Sequence, residues 1–407
     1  MSMENQSDPN PETIRDFFDC IHKDYMDGSV GKVGYKFLAD MLDGIQKTRS
    51  VNLTTIARGL SESIRLHATH KRLSRNLDDE EILSAFSSAV LSRGASHVKS
   101  DTRLIVTMHE LNKKYASKIQ YLSGSEEEHQ SLGFKVCEIL ASDYQSDVYY
   151  PIFTRVWSDQ VPDYEDDAKE VLKTIKIVLK HTNNKGICYL DDLSLSPEVT
   201  TQIILESDFD FISLANNVNS KIEYESHQYS ASDLAEKLDT RFGKMMYKLI
   251  PRIQSNPPSE SNLYSVDMDL FVHAGAFKVN LKETGRKLQL ITLKTKNRFV
   301  GELSIPVLTT VNNLKSRKNL MGLVESLMSK NDVVLTHRHY KNEFDLSGFR
   351  VLKFSRLNLL VTLVQTVMFY EMLVGINALK EISLFSTTPH EGNLQRTYYK
   401  PEETDTI

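Results

Sequence analysis

The sequence predicts an α/β protein. An all-helical N-terminal region precedes an alternating strand–helix core, and a β-rich segment is inserted before a helical C-terminal part. Three observations predict this. Apolar residues recur at helical spacing from about 13 to 95, with Phe17, Phe18 and Ile21 on one face and Phe37, Met41, Leu42 and Ile45 on another. From about 103, short apolar runs alternate with amphipathic helical patterns. Between about 220 and 310, alternating runs such as "SVDMDLFVHAGAFKVNL" interrupt that order.

The core elements can be justified in turn. "RLIVT" from Arg103 reads as a buried strand, and Gly133–Ser142 and Val148–Ser158 as a strand pair joined by a polar turn. "DDAKEVLKTIKIVLKHT" places Val171, Ile175 and Val178 or Leu179 on one helical face. Lys185–Asp192 is a short apolar strand ending in two acids. Ser196 as N-cap with Pro197 at the first helical position starts the next helix. "FDFISLA" is a further strand, "SASDLAEKLDTRFGKMMYKLI" reads as helix, and "KLQLITLKT" as strand. After "LSIPVLTTV" the chain is helical to about 380. Strands and helices in the order β-β-β-α-β-α-β, with acids at strand ends, match a ribonuclease H-like core. The expected divisions are a flexible tail at 1–12, a helical domain at 13–98 and the first part of the core at 99–219. A β-rich insertion follows at 220–310, then the last helices at 311–386 and a flexible tail at 387–407.

Composition narrows the function classes. The 407 residues are 40% hydrophobic and 25% charged with net charge −5, so no global basic field announces nucleic acid. Cys20, Cys137 and Cys188 have no paired spacing, which excludes a zinc knuckle and argues against a disulfide scaffold. The polar, acidic N-terminus has no signal-peptide pattern. Leu357–Ile376 is the most apolar run, but Glu371 within it would cost about 2.5–3.5 kcal/mol or more in a bilayer. It is therefore expected to be a buried core helix, with no membrane partner.

Several phrases, in order, carry a family resemblance: "LADMLDGIQKTRSVNLTTIARGLSES", "THKRLSRNL", "KKYASKIQYL", "YYPIFTRVWSDQVPDYEDDAKEVLKTI", "KGICYLDD", "LSIPVLTTV" and "NEFDLSGFRV". From about 35 to 375 the chain resembles bacterial insertion-sequence DDE transposases, the class with a large β-rich insertion and a Tyr-Arg-Glu-Lys signature. The resemblance implies Mg²⁺-dependent attack on a DNA phosphodiester, with two ions held by three carboxylates.

Carried over position by position, the second acid falls on Asp191, which is retained. Thr107 stands at the first acid. For the third, a register through "FDLSGFRV" gives Val334, with Lys341, Lys330 and Leu327 at the signature lysine, arginine and tyrosine. A second register gives Asn342. Neither supplies a carboxylate. The substitutes near these positions are Glu110, Asp192, Glu325, Asp332 and Glu343, but Glu110 lies on the opposite strand face from Thr107. Asp332 is about 200° around the helix from Val334. The resemblance thus implies a transposase fold that has lost its metal site, so no cofactor is expected. The alternative is an active enzyme using Mg²⁺ on substituted acids, with Asp191 as its metal ligand. His109, His337 and His339 lack zinc-site spacing.

The other functional signal lies between Gln46 and Asn76, where seven basic residues face one acid, Glu62. Asn52 is a candidate N-cap, a turn falls at Ser61–Ser63, and "LHATHKRLSRNL" would place Leu66, Leu73 and Leu77 inward and His67, Lys71 and Arg75 outward. This is a helix-turn-helix pattern, with Arg49, Arg58, Arg65, His67, Lys71, Arg72 and Arg75 as candidate DNA contacts. Lys330, Lys341, Lys113, Lys114 and Lys118 are further candidates. The expected partner is double-stranded DNA, bound by a homodimer associated with the bacterial nucleoid in the cytoplasm. An active relative or another protein is a further expected partner, through regulation, inhibition, an architectural role or a protein-interaction scaffold.

Overall fold

The computed structural model describes residues 11–26, 28–112, 118–123, 133–143, 148–216, 218–251, 265–297 and 301–385. Lys113 and Lys114, the tail from 387 and nearly all of the N-terminal tail lie outside them. The chain forms two compact units, Met1–Leu195 with Asn331–Thr387, and Ser196–Lys330 with Thr388–Ile407.

The first unit begins with five helices: α1 (Ile14–Tyr25), α2 (Lys32–Thr48), α3 (Leu53–Gly59), α4 (Leu66–Asn76) and α5 (Glu80–Ala95). Side-chain caps fix the starts of α1, α3 and α5. Asn52 accepts from the amides of Thr54 and Thr55, Asp79 from those of Glu81 and Ile82, and Thr13 forms a capping box with Asp16. Phe17, Phe18, Ile21, Phe37, Met41, Leu42 and Ile45 are all buried, as their spacing predicts. Each such side chain contributes about 1.5–3 kcal/mol by leaving water.

Next come β1 (Arg103–Asn112), β2 (Gly133–Asp143), β3 (Val148–Trp157), α6 (Asp167–His181) and β4 (Ile187–Leu190). The spatial order is β3-β2-β1-β4. The first three strands are antiparallel neighbours, and β4 runs parallel to β1. This is a mixed sheet, and the parallel β4 requires the crossover that α6 supplies. Glu170 on α6 is buried and paired with Arg155 of β3 at 2.8 Å.

The second unit contains α7 (Pro197–Glu206), β5 (Phe211–Leu214), β6 (Ile222–Tyr224), β7 (His227–Tyr229), α8 (Ala231–Lys237), β8 (Phe242–Pro251), β9 (Ser265–Leu281), β10 (Lys287–Asn297) and β11 (Gly301–Thr309). Its strand order is β5-β11-β10-β9-β6-β7, with β8 on the other pairing of β9. One expectation changes here. The run 230–250 is not one helix: α8 stops at Leu238, whose backbone is extended, and β8 pairs with β9 from Phe242↔Ala274 to Pro251↔Ser265. Ladder pairing with a distant strand overrides local helix propensity. The second unit begins at Ser196. β5 pairs with β11, and Arg286 donates to the carbonyls of Ile204 and Phe209, tying α7 and β5 to the β-rich part.

Two long helices close the described chain, α9 (Arg317–Lys341) and α10 (Phe354–Phe385). The residues of α9 from Asn331 onward belong to the first unit. By length and composition Phe354–Val374 could cross a membrane, yet 72% of its most apolar window is buried. It packs on β3, α2 and α5, with Phe369 stacked on Tyr150 at 4.6 Å. Glu371 is satisfied within the protein by Arg49 at 2.7 Å and Gln46 at 3.2 Å.

Candidate functional site

The register of β1 with β2 places Thr107 opposite Glu138 and His109 opposite Val136. Alternation along the strands puts Thr107, His109 and Glu138 on one face of the sheet. Asp191 follows the last residue of β4 and continues the ladder, its amide donating to the Val106 carbonyl at 3.1 Å. It is fully buried. Ser194, in the turn after it, accepts from the Met108 amide at 3.1 Å.

The C-terminal end of α9 contributes to the same place. Val334, His337, Arg338 and Lys341 recur at helical spacing on one side, while Leu335 and His339 are exposed on the other. Lys341 Nζ donates to Glu138 Oε2 at 2.8 Å and to His109 Nε2 at 2.6 Å. His337 Nε2 lies 3.3 Å from the same Glu138 oxygen, and His109 Nδ1 3.6 Å from it. Arg338 approaches Asp191 Oδ2 at 3.4 Å. The Thr107 hydroxyl donates to the Glu138 backbone carbonyl at 3.4 Å.

Burial would push the Glu138 carboxyl up. The Lys341 ammonium, His109 and His337 overcome this and hold it well below the usual carboxylate range. Burial pushes His109 down to about 4, with Lys341, His337 and Arg338 adding to the effect against the pull of Glu138. At neutral pH this imidazole is therefore uncharged and accepts from Lys341. The ammonium supplies the charge that balances Glu138.

A pair of Mg²⁺ ions does not fit this arrangement. Two-metal chemistry needs facing carboxylates with room for ions about 3.5–4 Å apart. The two acids on this face, Glu138 and Asp191, each have a cationic side chain of α9 against them, and Thr107 adds no charge. Among the described residues, no group of three or more His, Cys, Asp or Glu is disposed to hold a metal ion.

The remaining predicted site residues distribute as follows. Val334 is buried on the inner side of α9, whereas Asn342 lies just past the helix end and is exposed. Of the proposed substitute acids, Glu110 is exposed and accepts from Asn112, while Asp192 and Glu343 are exposed. Asp332 is half-buried, and Glu325 pairs with Lys244 in the second unit. Glu138 itself was not singled out from the sequence, although a lone acid inside the apolar strand "GFKVCEILAS" is the signal that could have found it.

The basic residues of the helical region separate into two groups. Arg58, Arg65, His67, Lys71 and Arg75 are exposed. Arg72 instead bonds Asp40 at 2.6 Å and both oxygens of Glu62 at 2.9 Å, tying α4 to α2 and to the turn before α4. Arg49 pairs with Glu371 and sits 4.8 Å over the Phe344 ring. Lys330 is buried, and Lys341 is held in the cluster above. These four make internal contacts rather than an open basic surface. Leu73 and Leu77 face inward as predicted, but Leu66, in the first turn of α4, is 40% exposed.

The first unit is thus an α/β body with a mixed sheet and a buried polar cluster at the end of its central strands. No family model matches the chain, and no curated protein matches it. Among solved structures it is similar to the piggyBac transposase in a cryo-EM synaptic complex with hairpin DNA. The TM-score is 0.38 at 9% identity, over 86% of this chain and 67% of that one. A likeness this distant says nothing by itself of what the present chain binds or does.

Proposed function

We propose that this is a transposase-derived protein that binds double-stranded DNA and does not cut it by metal-dependent chemistry. One observation carries the loss of cutting: where the resemblance expects facing carboxylates, the sheet presents Thr107 and a Glu138 already neutralised by Lys341. Asp191, at the end of β4, is the remaining acid of the expected three. The strand order β3-β2-β1-β4, with three antiparallel strands and a parallel fourth after a crossover helix, supports reading the core as ribonuclease H-like.

DNA binding is assigned to α3, α4 and the turn between them, read as a helix-turn-helix. The exposed Arg65, His67, Lys71 and Arg75 face the duplex, with Arg58 flanking them. Arg72 is a positioning residue there. Fluorescence anisotropy on a duplex across a salt series tests this reading. Three phosphate contacts by Arg65, Lys71 and Arg75 correspond to a log–log salt slope reduced by about 2.7 in the triple alanine variant. Binding should persist in EDTA. Absence of wild-type binding at moderate salt removes DNA binding as the role.

A further inference from the structure

We infer that Lys341 is a built-in counter-ion: its ammonium stands between β1, β2 and α9 in the place a bound cation would take, and keeps Glu138 ionised. Three features carry this inference. The Lys341 side chain is only 11% exposed and the Glu138 side chain 8%, so the pair is nearly removed from water. The ammonium spans two strands at once, reaching Glu138 Oε2 on β2 at 2.8 Å and His109 Nε2 on β1 at 2.6 Å. His337, one turn earlier on α9, reaches the same carboxylate oxygen at 3.3 Å, so the helix engages it from two successive turns.

A carboxylate this deeply buried persists only with a compensating charge and hydrogen bonds. An exchangeable metal ion would supply that charge with an occupancy that depends on the ion's concentration. A tethered ammonium supplies it permanently and cannot be chelated away. The consequence is a core whose integrity is independent of divalent cations, with α9 docked on the sheet by its own lysine. The inference rests on the geometry of these side chains, and its test contains no DNA, so its failure and that of the DNA-binding reading are distinguishable.

The test is thermal unfolding of the full chain with EDTA, Mg²⁺ or Mn²⁺, for wild type, K341M and E138Q/K341M. The wild-type melting temperature should be the same in EDTA and in millimolar Mg²⁺ or Mn²⁺. K341M, which keeps the length of the side chain and loses its charge, should melt about 10 °C lower, as expected for one buried charge left without its partner. Mn²⁺ should recover part of that loss in K341M, and the double variant should recover more than half of it without metal. A wild-type melting temperature raised by Mg²⁺ or Mn²⁺ would overturn the inference, as would a K341M that melts with wild type. If K341M does not fold, the double variant decides: recovery of folding supports the inference, and equal failure overturns it.

Discussion

Thr107 and Glu138 face each other across β1 and β2, and their chemistry sets the character of the core. A threonine hydroxyl cannot bind a metal as a carboxylate does, and the acid opposite it is already satisfied. His109 makes the cluster sensitive to acid. Its folded-state value is about 4, below the unfolded value of about 6.5. Below about 6.5 the unfolded chain takes up a proton that the folded chain refuses, so stability declines as pH falls from there towards 4. Glu138 adds a loss at lower pH, since its depressed carboxyl stabilises the fold only while ionised. Urea unfolding should show the His109 decline, on the order of 2 kcal/mol after allowing for partial exposure, and H109Q should flatten the curve over that window. An unchanged curve in H109Q contradicts the role given to His109. The odd threonine was legible in the sequence. Glu138 was not, because His337 and Lys341 reach it from 199 and 203 positions away.

Individual elements were legible where their signals are local. Asn52 caps α3, and Ser196 and Pro197 start α7, because capping chemistry lies within three residues of the cap. The stretch at 242–251 was misread because what makes it a strand is β9, which lies beyond an intervening segment. The same distinction separates Arg72 from its neighbours on α4. The sequence places it among basic residues, but Asp40, 32 positions earlier, claims it. R72A should therefore cost about 1–2 kcal/mol of stability by loosening α4 from α2. K71A, one residue away and exposed, should change stability by less than about 0.5 kcal/mol while weakening DNA binding. Equal melting curves for the two variants would contradict this division of roles.

At the scale of the whole molecule, the first unit carries the polar cluster, the basic helices and α10. The apolar α10 serves as core, with Glu371 drawn into an ion pair with Arg49. Hydrophobic periodicity pointed to the alternation of strands and helices, but only the spatial arrangement shows α9 laying two cationic side chains over the two acids of the sheet end. The central claim is that this sheet end does not support metal-dependent cutting. Incubation of supercoiled DNA with Mg²⁺ or Mn²⁺ tests it most directly, comparing wild type with Asp191→Ala. The account predicts no nicking above the metal-only control for either protein. Metal-dependent nicking by wild type that disappears in Asp191→Ala would contradict it.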